Sequence, residues 1–110
     1  MDFRQIEPTH ALENLVFIEL MRRGFSVNIG INGSKEVDFI ATKAQKLYYI
    51  QVAYSIENIE KRTTELASFK GIDDGYQKIV ITMDDDPFDD LGDGYRKINI
   101  FDFLLMYTLH

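Results

Sequence analysis

Residues 1–110 are predicted to form one α/β domain, a mixed β-sheet flanked by helices with elements in the order αβββαββα. Three observations predict it. A well-delimited apolar helix near the N-terminus has a spread too wide for one solvent-facing stripe. Two apolar, β-branched segments flank the dipeptide Asn32-Gly33, whose tolerance of positive φ suits a hairpin turn. A further helix then lies between two strongly apolar strands, at a length that implies a parallel crossover.

The first helix is expected over Pro8 to Arg23, with Thr9 as N-cap, Arg22 and Arg23 in the last turn and Gly24 as the stop. Leu12, Leu15, Val16, Phe17, Ile18, Leu20 and Met21 cover more than half its circumference, so it should lie against a sheet. Phe25 to Ile31 and Lys35 to Thr42 are the strands of the hairpin. After the polar turn Thr42 to Lys46, Leu47 to Tyr54 is broken only by Gln51, and a strand apolar on both faces belongs in the middle of a sheet. Ser55 is expected to cap a second helix over Ile56 to Lys70, with Ile59, Leu66 and Phe69 inward and a Glu57–Lys61 pair one turn apart. Gly71 ends it. Gln77 to Met83 and Arg96 to Ile100 are the remaining strands, and a final helix runs from about Phe101 to Leu109.

Composition narrows the function classes. With 45% hydrophobic residues and no cysteine, disulfide scaffolds, cysteine zinc sites and cysteine nucleophiles are excluded. A chain of this length buries roughly 60 to 70% of its unfolded surface, enough for one core. The longest apolar run, Leu15 to Leu20, falls short of a membrane span, and Met1 to Thr9 lacks a secretory leader's pattern. The expectation is a cytoplasmic protein that does not enter the membrane. Lys+Arg 12 against Asp+Glu 18 gives a net charge of −6. All of that excess falls between Asp84 and Asp93, which carry Asp84, Asp85, Asp86, Asp89, Asp90 and Asp93 without a cation. This segment lacks the spacing of a calcium loop and is expected to be solvated. Arg22, Arg23, Lys61 and Arg62 remain available to an anion. His10 and His110 have no partner at metal-ligand spacing.

Three polar residues break the apolar pattern. Glu13 shares a helix face with Val16, Phe17 and Leu20. Asp38, in Glu36-Val37-Asp38-Phe39-Ile40-Ala41, sits inside a strand, where an unpaired charge is costly. It requires either a site or a strand edge or bulge with a cationic neighbour. Gln51 interrupts the central strand, and antiparallel pairing would bring it close to Asp38. Side-chain oxygens on neighbouring strands, with a helix carboxylate arriving from one face, suit a hard divalent cation.

At these residues the sequence resembles the PD-(D/E)XK phosphodiesterase superfamily, whose restriction-endonuclease-like fold is built on an αβββαβ core. The resemblance places Asp38 at the superfamily's strand aspartate, Gln51-Val52-Ala53 on its (D/E)XK segment and Glu13 at its helix glutamate. It implies that Glu13, Asp38 and Gln51 are the catalytic candidates, with Asp38 and Glu13 as ligands to Mg²⁺ or Mn²⁺. More narrowly, Leu12-Glu13-Asn14-Leu15-Val16, Arg22-Arg23-Gly24-Phe25, Lys35-Glu36-Val37-Asp38-Phe39, Tyr49-Ile50-Gln51-Val52-Ala53 and Ile79-Val80-Ile81-Thr82 resemble the C-terminal domain of unknown function in a family of prokaryotic AAA-type ATPases. That resemblance implies a partner, the ATPase domain of the same polypeptide, of which residues 1–110 would form the C-terminal part.

Two departures shape the functional expectation. The chain holds no Gly-x-x-x-x-Gly-Lys-Ser/Thr loop, hence no nucleotide site. Ala53 occupies the position of the superfamily's lysine, which orients the attacking water and stabilises charge on the phosphate, and Gln51 offers a neutral oxygen in place of an anion. The expectation is a degenerate, nuclease-like recognition or assembly module. The alternative is a metal-dependent DNA endonuclease with its lysine displaced, and Lys35, Lys43 and Lys46 are the first lysines to consider. Phe101, Phe103, Leu104, Leu105, Met106, Tyr107 and Leu109 exceed one buried stripe, so self-association through the last helix is also expected.

Overall fold

The computed structural model describes residues 8–85 and 90–106. Helix α1 spans Pro8–Arg22, with Pro8 inside it as the first described residue, a position where its fixed φ is no hindrance. Its end is a Schellman motif. Gly24 adopts φ 90°, its N–H donates to the Met21 carbonyl at 3.0 Å, and the Phe25 N–H donates to the Leu20 carbonyl at 3.1 Å. Phe25 and Leu20 then enter the same core cluster. Glu19 is buried among this helix's inward residues, and the reason is cationic. Arg22 grips it through Nε at 3.0 Å and Nη2 at 2.6 Å, and Arg23 Nε adds a contact at 2.6 Å. These guanidinium hydrogen bonds hold the Glu19 carboxyl down at about 2, against an ordinary value of 4.5. A depressed carboxylate contributes stability above its unfolded value and loses it as pH falls towards the folded one. The melting-temperature gap between the native chain and Glu19→Gln should therefore be widest near neutrality and close between pH 4.5 and about 2. A gap independent of pH in that window would remove the ion pair as its cause.

The hairpin follows as β1 (Ser26–Asn32) and β2 (Lys35–Lys43), antiparallel. Its two turn residues are Gly33 and Ser34, one position later than Asn32-Gly33, and Gly33 takes φ 65°. Asn32 instead closes β1, and its amide donates to the carbonyls of Ser68 and Lys70. β3 (Lys46–Val52) pairs antiparallel with β2 and parallel with β4 (Gln77–Thr82), the crossover expected from the sequence. β6 (Tyr95–Asn99) lies parallel to β4 and antiparallel to the short β5 (Asp90–Gly92), and the sheet order is β1-β2-β3-β4-β6-β5. Helix α3, Ile100–Leu105, leaves β6 directly, capped by Asn99, whose side chain accepts from the Phe101 N–H. α1 and α3 cover one face of the sheet, where Leu12, Val16, Leu20, Ile50, Ile79, Ile81 and Phe103 form the larger core. The other face is covered from the side of helix α2 (Ile59–Leu66) by Ile56 and Phe69, which pack on Val37, Ala53 and Val80.

Several expectations are corrected. Helix α2 runs Ile59–Leu66 and continues as a 3₁₀ turn, Ala67–Phe69. Asn58, not Ser55, is the cap, accepting from the N–H groups of Glu60 and Lys61. Ser55 makes only a local turn, accepting from the Glu57 N–H. Glu57 therefore precedes the helix, and Lys61 pairs forward with Glu65 instead. Ile59 is 69% exposed, so the inward side of this helix is set by Leu66 and Phe69. The acidic segment is not simply a solvated loop. Asp90–Gly92 forms β5, antiparallel to β6, and Asp84 is buried. Asp86, Asp89, the expected end of the last helix at residues 107–109 and His110 lie outside the described residues. Of the final helix's apolar residues, Ile100 and Phe103 are buried while Phe101 and Leu105 are exposed. No helix among the described residues is long and apolar enough to cross a membrane.

Candidate functional site

Asp38 lies in a β-bulge. Asn28 pairs with Ile40 and Gly30 with Val37, so Ile29 alone faces both Asp38 and Phe39. The extra residue reverses the alternation of β2. Phe39 and Ala41 pack on the α1 side, whereas Val37 joins the core on the α2 side. The backbone ladder between β2 and β3 runs from Lys43↔Lys46 to Phe39↔Ile50, and beyond it side chains take over its hydrogen bonds. The Asp38 N–H donates to Gln51 Oε1 at 2.6 Å, and the Val52 N–H donates to Asp38 Oδ2 at 2.8 Å. The bulge expected as one option is therefore present, but the group that meets the Asp38 carboxylate is a backbone amide, not a lysine or arginine.

The other end of the Gln51 amide reaches helix α2. Its Nε2 donates to Glu65 Oε2 at 3.1 Å and to Ser68 Oγ at 3.3 Å, and the whole side chain is buried. A glutamine suits this place because it accepts at one end and donates at the other. A glutamate would keep the first bond and set its charge against Glu65. Burial raises the Asp38 carboxyl above its ordinary range, opposed by the Val52 N–H and assisted by Glu36. Burial also raises Glu65, followed by the Asp38 charge, with a smaller contribution from Glu13. Glu13, half-buried on α1, is thus within electrostatic reach of Glu65.

The structure therefore brings Asp38 and Gln51 into contact and adds Glu65, which carries no mark in the sequence, while Glu13 is linked to them only through its small effect on Glu65. An acidic residue on a short polar helix is ordinarily solvent-facing. Only its spacing of three and four from the buried Ser68 and Phe69 hints that it looks inward. The remaining position, Ala53, is fully buried among Val37, Ile56, Phe69 and Val80.

These residues do not fit a divalent cation as they stand. Gln51 Oε1 and Asp38 Oδ2 are occupied by backbone N–H groups, and among the described residues no three His, Cys, Asp or Glu side chains are grouped to hold a metal ion. A separate cleft of about 680 Å³ at the ends of β4 and β6, lined by Met83, Asp84, Asp85, Arg96, Phe101 and Met106, includes none of the candidates.

Comparison with known proteins adds one relative. A Haemophilus influenzae protein described as uncharacterized is 46% identical over 94 residues, 86% of this chain. The chain spans only 22% of that relative's length. No family model matches the chain, and no solved structure matches it.

Proposed function

We propose that this chain is a degenerate PD-(D/E)XK nuclease-like domain that serves as a recognition or assembly module of an AAA-type ATPase. The observation that carries the reading is Ala53. The position of the superfamily's lysine is a methyl group with no exposure, enclosed by apolar side chains, and nothing there can orient a water or balance phosphate charge. Gln51 supports it, because both ends of its amide serve structural bonds between β3, β2 and α2. The succession α1, β1, β2, β3, α2, β4, with Asp38 on the second strand and Gln51 on the third, agrees with an αβββαβ core. The relative's greater length agrees with a module inside a larger polypeptide.

A cleavage assay tests this reading. With Mg²⁺ or Mn²⁺ and linear, supercoiled or single-stranded DNA, the native chain should cut no faster than Asp38→Ala. Robust cleavage abolished by Asp38→Ala would overturn it. One observation favours the endonuclease alternative: Lys61 Nζ lies 3.8 Å from Glu65 Oε1, so a lysine of α2 does approach the carboxylate that meets Gln51. In that case Lys61→Ala would abolish cleavage together with Asp38→Ala, whereas Lys35, Lys43 and Lys46 would be dispensable.

A further inference from the structure

The two edges of the sheet are protected unequally. β5 is three residues long and begins with an aspartate, which limits pairing with another strand. β1 is seven residues long, Ser-Val-Asn-Ile-Gly-Ile-Asn, with no charge and no proline. Among the described residues it pairs on its β2 side alone, so no described strand meets its other row of backbone donors and acceptors, which can pair with an extended segment. Ile29 and Ile31 are 67% and 79% exposed.

Gly30 shows which way these side chains point. A Cβ there would meet the Ile40 side chain at 2.7 Å, so the even-numbered residues of β1 face Ile40 and Val37. Val27, Ile29 and Ile31 face the α1 side, where Val27 packs on the larger core. On that side Phe17, against the Phe39 ring, and Met21 are also substantially exposed. An apolar strip therefore runs alongside an uncharged strand edge that no described strand pairs with.

The order of residues in β1 selects the occupant. Around Ile29 the strand reads the same way in both directions: apolar residues at 27, 29 and 31, polar residues or glycine at 26, 28, 30 and 32. Antiparallel self-pairing centred on Ile29 sets it beside the partner's Ile29, Val27 opposite the partner's Ile31 and Ser26 opposite the partner's Asn32. Every apolar side chain then meets an apolar one on the same face, and no like charges oppose each other. We propose that two copies of this chain associate through antiparallel β1–β1 pairing, joining two six-stranded sheets into one. Backbone pairing of two strands alone is marginal in water, and the apolar strip supplies the driving force. The association does not depend on the nuclease-like reading.

Sedimentation equilibrium of the 110-residue chain should show a reversible dimer. The double variant Ile29→Lys with Ile31→Lys should weaken it by about tenfold or more with the melting temperature of the monomer unchanged, since both side chains already face solvent. Because the chain has no cysteine, Ile29→Cys offers a clean second readout: oxidation should cross-link it to its own copy, while Ser26→Cys should not cross-link. A strict monomer at high concentration would overturn the proposal. So would a dimer that survives the double lysine variant, or one that Leu105→Asp on the exposed side of α3 dissociates.

Discussion

Ala53→Lys is expected to destabilise the domain by about 3 kcal/mol or more, because a buried ammonium and three extra methylenes must enter a site with no room for either. Ala53 has no exposure and touches the cluster of Val37, Ile56, Phe69 and Val80. In a domain of this size the melting temperature should fall by roughly 10 to 20 °C. Restoring the superfamily's lysine would therefore need Phe69 or Ile56 to be cut back at the same time, which is why the degenerate reading does not reduce to one missing side chain. Thermal unfolding checks this. A variant as stable as the native chain would mean that the side chain at 53 escapes past Phe69, and the case built on Ala53 would fail with it.

Asp84→Ala should cost a comparable amount, about 3–5 kcal/mol, as is usual when one partner of a buried ion pair is removed. Asp84 Oδ2 accepts from the Ile56 N–H at 2.9 Å and lies 3.9 Å from Lys97 Nζ, and both side chains of that pair are only 4% exposed. The same residue ties three segments together: its own N–H donates to Thr82 Oγ1, and its carbonyl accepts from Asn99 Nδ2. Removing the carboxylate withdraws the acceptor from the β3–α2 connection and one counter-charge from Lys97 on β6. Urea unfolding should show the loss, and it should persist in high salt because the pair is sheltered from screening ions. Asp84→Asn, which can still accept from Ile56, should recover part of it. A near-neutral Asp84→Ala would mean that the carboxylate is solvated like that of Asp85.

Much of the architecture was legible because it is written in short signals. Gly24 with Arg22 and Arg23 ends a helix, a glycine after Asn32 turns a hairpin, and the apolar run around Ile50 reads as a central strand. Each depends on residues within one turn of chain. Local signals mislead where several candidates lie close together or where a neighbour decides. Ser55 and Asn58 are both good caps; Asn58 prevails, and the chain before it is held extended by Met83 N–H to Tyr54 carbonyl and Ile56 N–H to Asp84. Asp90-Leu91-Gly92 has the composition of a loop and is a strand only because β6 lies beside it.

The site divides the same way. Asp38 and Gln51 could be found from the sequence alone, since a polar residue in a buried strand must be answered by something, and each is answered by a backbone N–H of the neighbouring strand, Val52 for the Asp38 carboxylate and Asp38 for the Gln51 amide. Glu65 could not. By itself the sequence determined the succession of elements apart from β5, the cysteine-free chemistry and the two strand residues that break the apolar pattern. Tertiary structure decided the bulge at Asp38, the capture of Gln51 by Glu65, the burial of Asp84 with Lys97 and the place of β1 at the end of the strand order. The physical reason is range: caps and turns are satisfied within a few residues, whereas the register of a strand and the partner of a buried charge are chosen by groups that meet only when the sheet has formed.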